Sequence, residues 1–156
     1  MKQENPQTKV FTAWGKDRSS ITVGGKTADA AFWYERQTGD WVTSRYYLND
    51  YPDWMKKFHA RKLSDSLFGK AWESLPVEPS IYRQLGIEQL DRGVYHWQMP
   101  HPLSGATQTP TSGFYTALFS SPFVDSYLVE LAKTLIENES LGEDTDVDFL
   151  ALCFPP

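Results

Sequence analysis

Lys16 and Arg18 are the residues whose types and spacing most plainly invite chemistry, standing two positions apart just after the apolar run Val10-Phe11-Thr12-Ala13-Trp14. In an extended backbone side chains alternate faces, so Lys16 and Arg18 are expected on one side and Asp17 on the other. A compact ammonium beside a planar guanidinium makes a two-armed clamp suited to a tetrahedral oxyanion such as phosphate. Gly15, immediately before them, leaves the backbone free to bend or a ligand free to come close. The competing reading of Lys-x-Arg at a strand end is a solvated rim.

The other candidates are weaker. His96 and His101 stand five apart around Pro100 with no third Cys, Asp or Glu at ligand spacing, so they and His59 read as loop histidines rather than metal ligands. Asp144, Asp146 and Asp148 have the alternation of a calcium loop, but Val147, Phe149 and Leu150 occupy the following positions, and a solvated turn before a strand explains them. No Gly-x-Ser-x-Gly, phosphate-binding Walker loop or His-Glu-x-x-His occurs. The six tryptophans raise a second class of function, a ligand- or carbohydrate-binding module, if several of Trp33, Trp41, Trp54, Trp72 and Trp97 share one exposed row; large aromatics more often fill cores.

The elements that must position the clamp follow from periodicity. Residues 8–14 read as a buried strand, and Ser19 to Lys26, with Gly24-Gly25, as turn chemistry. Residues 28–35 and 41–47 are aromatic and β-branched and flank Gln37-Thr38-Gly39-Asp40, a hairpin signal. Pro52 opens a helix with Trp54 and Phe58 on one face, fading near Leu63. From Gly69 to Gly113 the periodicity is poor, and order there is expected from packing of Trp72, Tyr82, Tyr95 and Trp97 rather than from repeated hydrogen bonds. Ser121-Pro122 opens a helix over 122–138 with Val124, Tyr127, Leu128, Leu131 and Leu135 on one side and Leu141-Gly142 closing it. The near-continuous apolar run 147–154 reads as a strand covered on both faces of a parallel sheet. The strands at 8–14 and 147–154 are therefore expected parallel in one sheet, the helix on a face, and the hairpin at 28–47 outside that sheet's core.

Bulk properties bound the function. A length of 156 residues, 40% hydrophobic, fits one domain with a respectable core. A net charge of −5, with fifteen Lys and Arg forming no long stripe, argues against nucleic acid as a partner. No run is long enough to span a membrane, and the first residues show no signal peptide. Cys153 has no second cysteine to pair with and reads as a small buried hydrophobe.

The segments Trp-Gly-Lys-Asp-Arg-Ser-Ser-Ile (14–21), Ala-Asp-Ala-Ala-Phe-Trp-Tyr-Glu (28–35), Thr-Gly-Asp-Trp-Val-Thr-Ser-Arg-Tyr-Tyr (38–47), Pro-Asp-Trp-Met (52–55), Ile-Glu-Asn-Glu-Ser-Leu-Gly (136–142) and Asp-Phe-Leu-Ala-Leu (148–152) resemble, in order, the middle of a bacterial alkaline phosphatase. More specifically they look like the type I phosphodiesterase/nucleotide pyrophosphatase branch of the alkaline phosphatase superfamily, with the likeness weakest between 73 and 115. The resemblance implies an α/β/α sandwich, two zinc ions, a Thr or Ser nucleophile with Asp and His metal ligands, and periplasmic or secreted location. It also implies that Lys16 and Arg18 contact the phosphoryl oxygens, as a Lys-x-Arg pair does in the monoester-specific members.

The family's nucleophile and first metal ligand precede the matched region, and its Asp-Tyr-x-Gly-His type motif follows the strand matching 147–154. The expectation is thus a single domain over 1–156 that is an internal segment of a larger phosphatase-like domain, an α/β piece with parallel strands, a β-hairpin and a loop-rich insert. Such a segment carries no catalytic residue, no metal and no cofactor of its own, is inactive when isolated, and has the remainder of the parent chain and a phosphate-ester substrate as partners. A purely structural specificity insert is compatible with everything after residue 27.

Overall fold

The computed structural model of the chain describes residues 2–73, 78–84, 100–104 and 106–154. In chain order the elements are β1 (Val10–Trp14), α1 (Asp17–Gly24), β2 (Ala30–Tyr34), β3 (Trp41–Val42), α2 (Asp53–Ala60), a 3-10 turn (Asp65–Leu67), β4 (Ala71–Trp72), α3 (Pro79–Gln84), β5 (His101–Pro102), α4 (Ser112–Phe119), α5 (Phe123–Glu139) and β6 (Phe149–Cys153). Four strands form a sheet in the order β3-β2-β1-β6. β1 runs parallel to both neighbours, with Trp14 opposite Trp33 on one side and Cys153 on the other. The expected parallel pairing of the first and last apolar strands is therefore present. β4 and β5 form a separate antiparallel pair, Trp72 opposite His101.

Alternation along β1 divides the molecule into layers. Phe11 and Ala13 point into the main core with Ala30, Phe32 and Tyr34 of β2. Against them pack Val124, Tyr127, Leu128, Leu131 and Leu135 of α5, Trp54, Met55 and Phe58 of α2, and Phe114, Leu118 and Phe119 of α4. The intervening Thr12 faces α1 across the sheet, and its hydroxyl lies 2.9 Å from both the carbonyl and the hydroxyl oxygen of Ser20, all fully buried. Helices therefore cover both faces of a mostly parallel sheet.

Three elements depart from the sequence expectations. The segment 28–47 does turn back on itself, Trp33 opposite Val42 and Tyr34 opposite Trp41, but it is not outside the sheet: β2 lies in its interior, beside β1. The reason is that Ala30, Ala31 and Phe32 are all buried, so β2 is apolar on both faces and needs a layer on each side. Residues 17–24 are a helix rather than a turn. Asp17 accepts the Arg18 N–H at 2.7 Å, satisfying a donor the first turn leaves orphaned, and Gly25, at φ +67°, ends the helix. Finally, β6 is half-buried throughout and flanks the sheet with β1 as its neighbour, so the apolar run is not covered on both faces within the described residues. Cys153 is accordingly half-buried, not enclosed.

The helices hold closer to expectation. α5 ends on Ser140 in the left-handed region, with the Leu141 N–H returning to the Ile136 carbonyl at 3.1 Å and Gly142 at φ +76°. Ser121 does not cap α5; its hydroxyl donates to the Leu118 carbonyl at 2.8 Å. α4 had no periodic signal in the sequence, and Thr111 caps it by accepting the Phe114 N–H. Trp72 is half-buried in β4 and ordered in part by strand pairing; the Tyr82 side chain, Tyr95 and Trp97 lie outside the described residues.

A cationic cleft at the carboxyl edge of the sheet

Because β1 and β2 are parallel, their carboxyl ends open onto the same edge, the usual place for ligand-handling residues in an open α/β sheet. The residues that follow the two strands line one open cleft of about 420 Å³ there. Gly15, Lys16, Asp17 and Arg18 come from the β1 side, and Glu35, Arg36 and Gln37 from the β2 side, with Trp33 and Tyr34 between. Lys16 and Arg18 thus do share one cleft, though by another route than alternation along a strand: Lys16 is extended (φ −121°, ψ 134°) and caps α1, while Arg18 lies in its first turn. Arg36 was not singled out from the sequence. The signal was available in the strand pattern, since Arg36 stands two residues after a buried aromatic strand as Lys16 stands two after Trp14.

The charge balance of the cleft is uneven. Among the described residues no carboxylate pairs with Lys16, Arg18 or Arg36. The two carboxylates in the lining are already engaged with backbone, Asp17 with the Arg18 N–H and Glu35 with the Gln37 N–H at 3.0 Å. Three cations with no carboxylate partner among the described residues, gathered in one concavity in a chain of net charge −5, favour an anionic ligand.

The floor is rigid. Tyr34 stacks on Phe119 with centroids 5.7 Å apart and meets Trp41 and Tyr127 edge-on. Its hydroxyl donates to the Tyr115 carbonyl at 3.1 Å. Burial, reinforced by Tyr127, pushes the Tyr34 phenol far above its ordinary range, so it stays neutral and serves as scaffold rather than as a base. On the β1 side, the Thr12 to Ser20 contact and the close approach of Gly24, where an added Cβ would lie 3.1 Å from Thr12 Oγ1, press α1 onto the sheet.

No group of three or more His, Cys, Asp and Glu among the described residues could hold a metal ion. His59 sits on α2, not in a loop, with Nε2 2.8 Å from the Trp41 carbonyl; His101 is in β5, and His96 lies outside the described residues. The Asp144, Asp146 and Asp148 carboxylates tie the chain ends together. Asp148 accepts the Lys9 and Gly142 N–H groups, Asp146 accepts from Asn5, and Asp144 accepts the Asp146 N–H. Among the candidate stacking residues Trp41 and Trp54 are buried and Trp33 and Trp72 half-buried, so the described tryptophans form no exposed row; Trp97 lies outside the described residues.

A mostly parallel sheet with helices on both faces and a cationic cleft at its carboxyl edge defines an open α/β architecture. No protein-family model matches the chain. It is 32% identical over 152 residues to alkaline phosphatase PhoV of Synechococcus elongatus, covering 95% of this chain and 27% of that protein. To the calcium-transporting ATPase of Myroides odoratus it is 32% identical over 154 residues, covering 95% of this chain and 28% of that protein. To alkaline phosphatase PafA of Elizabethkingia meningoseptica it is 27% identical over 159 residues, covering 95% and 27%. The chain therefore spans little more than a quarter of the length of the curated relatives it matches. Its fold superimposes on the crystal structure of PafA with TM-score 0.68 and 22% identity, over 97% of this chain and 29% of that one. On a PafA variant with a threonine, an asparagine, a lysine and an arginine replaced, the TM-score is 0.73 at 22% identity, over 97% and 30%. These matches fit a fragment of an alkaline phosphatase-superfamily protein, and the chain shares the fold of PafA over that stretch.

Proposed function

We propose that residues 1–156 form an internal part of a larger phosphatase-like domain and supply the cations, Lys16 and Arg18, that hold the phosphoryl group of a phosphate-ester substrate. The observation that carries this is the absence, among the described residues, of any carboxylate partner for either side chain in a cleft at the carboxyl ends of β1 and β2. The lysine and arginine replaced in the PafA variant stand two positions apart, the spacing of Lys16 and Arg18. Lysine contributes a point charge and arginine two parallel donors, which together match adjacent phosphoryl oxygens. Cationic donors of this kind stabilise charge as it builds on those oxygens.

Two zinc ions belong to the proposal for the complete enzyme, in the phosphodiesterase/nucleotide pyrophosphatase manner, and would act as Lewis acids there. The described residues of this chain include no cluster of side chains that would hold them. Location outside the cytoplasm is part of the same proposal. Monoesters are the preferred class, since a dianionic phosphoryl group gains more from two cations than a monoanionic diester.

The test is Lys16→Ala and Arg18→Ala in the complete reading frame that contains this segment, assayed on a matched phosphate monoester and diester. Each change should lower monoester turnover by about tenfold to a thousandfold, the range for losing a preorganised donor, with a smaller fall for the diester. Unchanged monoester turnover in both folded variants returns the pair to a solvated rim.

A further inference from the structure

Resting on that reading, we propose that Arg36 is a specificity residue that contacts a second negative charge, carried by the leaving group of the substrate. Lys16 and Arg18 approach the cleft from β1 and α1, whereas Arg36 approaches from the end of β2. A phosphoryl group held by the first pair leaves the third cation for whatever projects toward the β2 side. Its guanidinium carbon lies 3.9 Å from the centroid of the Phe119 ring. Phe119 is itself 7% exposed and stacked on Tyr34. A guanidinium held over a fixed ring is restricted, while contact with the ring face does not use up its in-plane N–H donors, which a planar carboxylate or a second phosphate can take.

The neighbouring charges leave that fork available. Glu35, next in sequence, is held by the Gln37 N–H, and no described carboxylate forms an ion pair with Arg36. Asp40, across the turn, is 3.7 Å from Lys62. An arginine that served only to cover Phe119 would gain from a carboxylate partner at its exposed edge; none is there among the described residues. The ligand class is therefore a phosphate monoester whose alcohol part bears its own carboxylate or phosphate.

The experiment compares 3-phosphoglycerate with glycerol 3-phosphate, which share a skeleton but differ in a carboxylate against a neutral hydroxymethyl group. It uses the complete reading frame containing this segment, in wild-type form and as Arg36→Ala, Arg36→Lys and Lys16→Ala. Wild type should favour the carboxylate-bearing ester in kcat/KM. Arg36→Ala should lower that preference about five- to tenfold, mainly through KM, while leaving glycerol 3-phosphate within about twofold; a single charge-assisted contact in a partly solvated cleft is of this size. Arg36→Lys should recover part of the preference, because the charge survives and the planar fork does not. Lys16→Ala should lower both esters alike. Equal losses on both esters in Arg36→Ala would make Arg36 a third phosphoryl contact and overturn the proposal, as would no loss on either. An unaffected Lys16→Ala would instead overturn the phosphoryl clamp, whatever Arg36 does.

Discussion

Removing the Thr12 hydroxyl isolates the contact that fixes α1, and with it Arg18, on the sheet. Thr12 has one hydroxyl proton and donates it to the Ser20 carbonyl at 2.9 Å, so the Ser20 hydroxyl, also 2.9 Å away, must be the donor in the second bond. Thr12→Val keeps the shape, deletes both bonds and leaves the Ser20 O–H buried at 0% exposure with its partner gone. Two lost bonds at about 1 kcal/mol each, plus about 1 kcal/mol or more for the stranded hydroxyl and less a small gain from the added methyl, give about 2–3 kcal/mol. In a chain of this size that is a fall in Tm of about 4–10 °C. Ser20→Ala should cost about 1 kcal/mol or less, since Thr12 still donates to the carbonyl. The double variant should then be less destabilised than the sum of the singles by about 1–2 kcal/mol, because no buried hydroxyl is left without a partner. Urea denaturation of the four proteins, followed by tryptophan fluorescence, measures the cycle. Additive effects, or a Thr12→Val cost below about 0.5 kcal/mol, would refute the hydrogen-bond account and leave shape packing alone to hold α1.

Gly39→Ala should destabilise by about 3 kcal/mol or more in the same assay: φ is +72° there, and the new Cβ would fall 2.3 Å from the Tyr115 ring, displacing the phenol from Asp65, which it now meets at 2.7 Å. The acid–base behaviour of that phenol gives a separate test. Burial, and then the Asp65 carboxylate, push Tyr115 up to about 12 from an ordinary 10.0, so folding favours its neutral form. That contribution is complete below the unfolded value of about 10 and is lost as pH rises through about 12; unfolding free energy should therefore drop across this window in wild type, and less steeply in Tyr115→Phe.

The parallel pair β1 and β6 was legible in the sequence for a definite reason. Val10 to Trp14 and Phe149 to Cys153 are runs of apolar residues that alternation cannot split into wet and dry faces, and such runs belong in parallel sheets. The interior position of β2 was hidden by a stronger local signal. Gln37-Thr38-Gly39-Asp40 specifies a reversal, and a reversal specifies the antiparallel neighbour β3 without saying what lies on the other side. The residues that pair with Phe11 and Thr12 of β1 are Ala30 and Ala31, and two alanines carry little sequence signal. The helix at Asp17–Gly24 was hidden by Gly24-Gly25, which look like a turn but act as a close contact with Thr12 and a helix terminator.

That mistaken turn bears directly on the clamp. Had the strand continued through residue 18, Lys16 and Arg18 would have pointed the same way by alternation, about 6–7 Å apart along the strand, and Asp17 would have pointed away. With α1 starting at Asp17, Lys16 still belongs to the extended segment while Arg18 is turned by the first helical residues, and both nonetheless line the cleft. Asp17 lines it too, so the separation of charges that alternation would have provided is absent. The Arg18 N–H takes its place by binding the Asp17 carboxylate at 2.7 Å, where the positive end of the helix also favours a negative charge. The acid between the two cations is thereby held to the backbone rather than to either side chain, which keeps Lys16 and Arg18 open to an external anion.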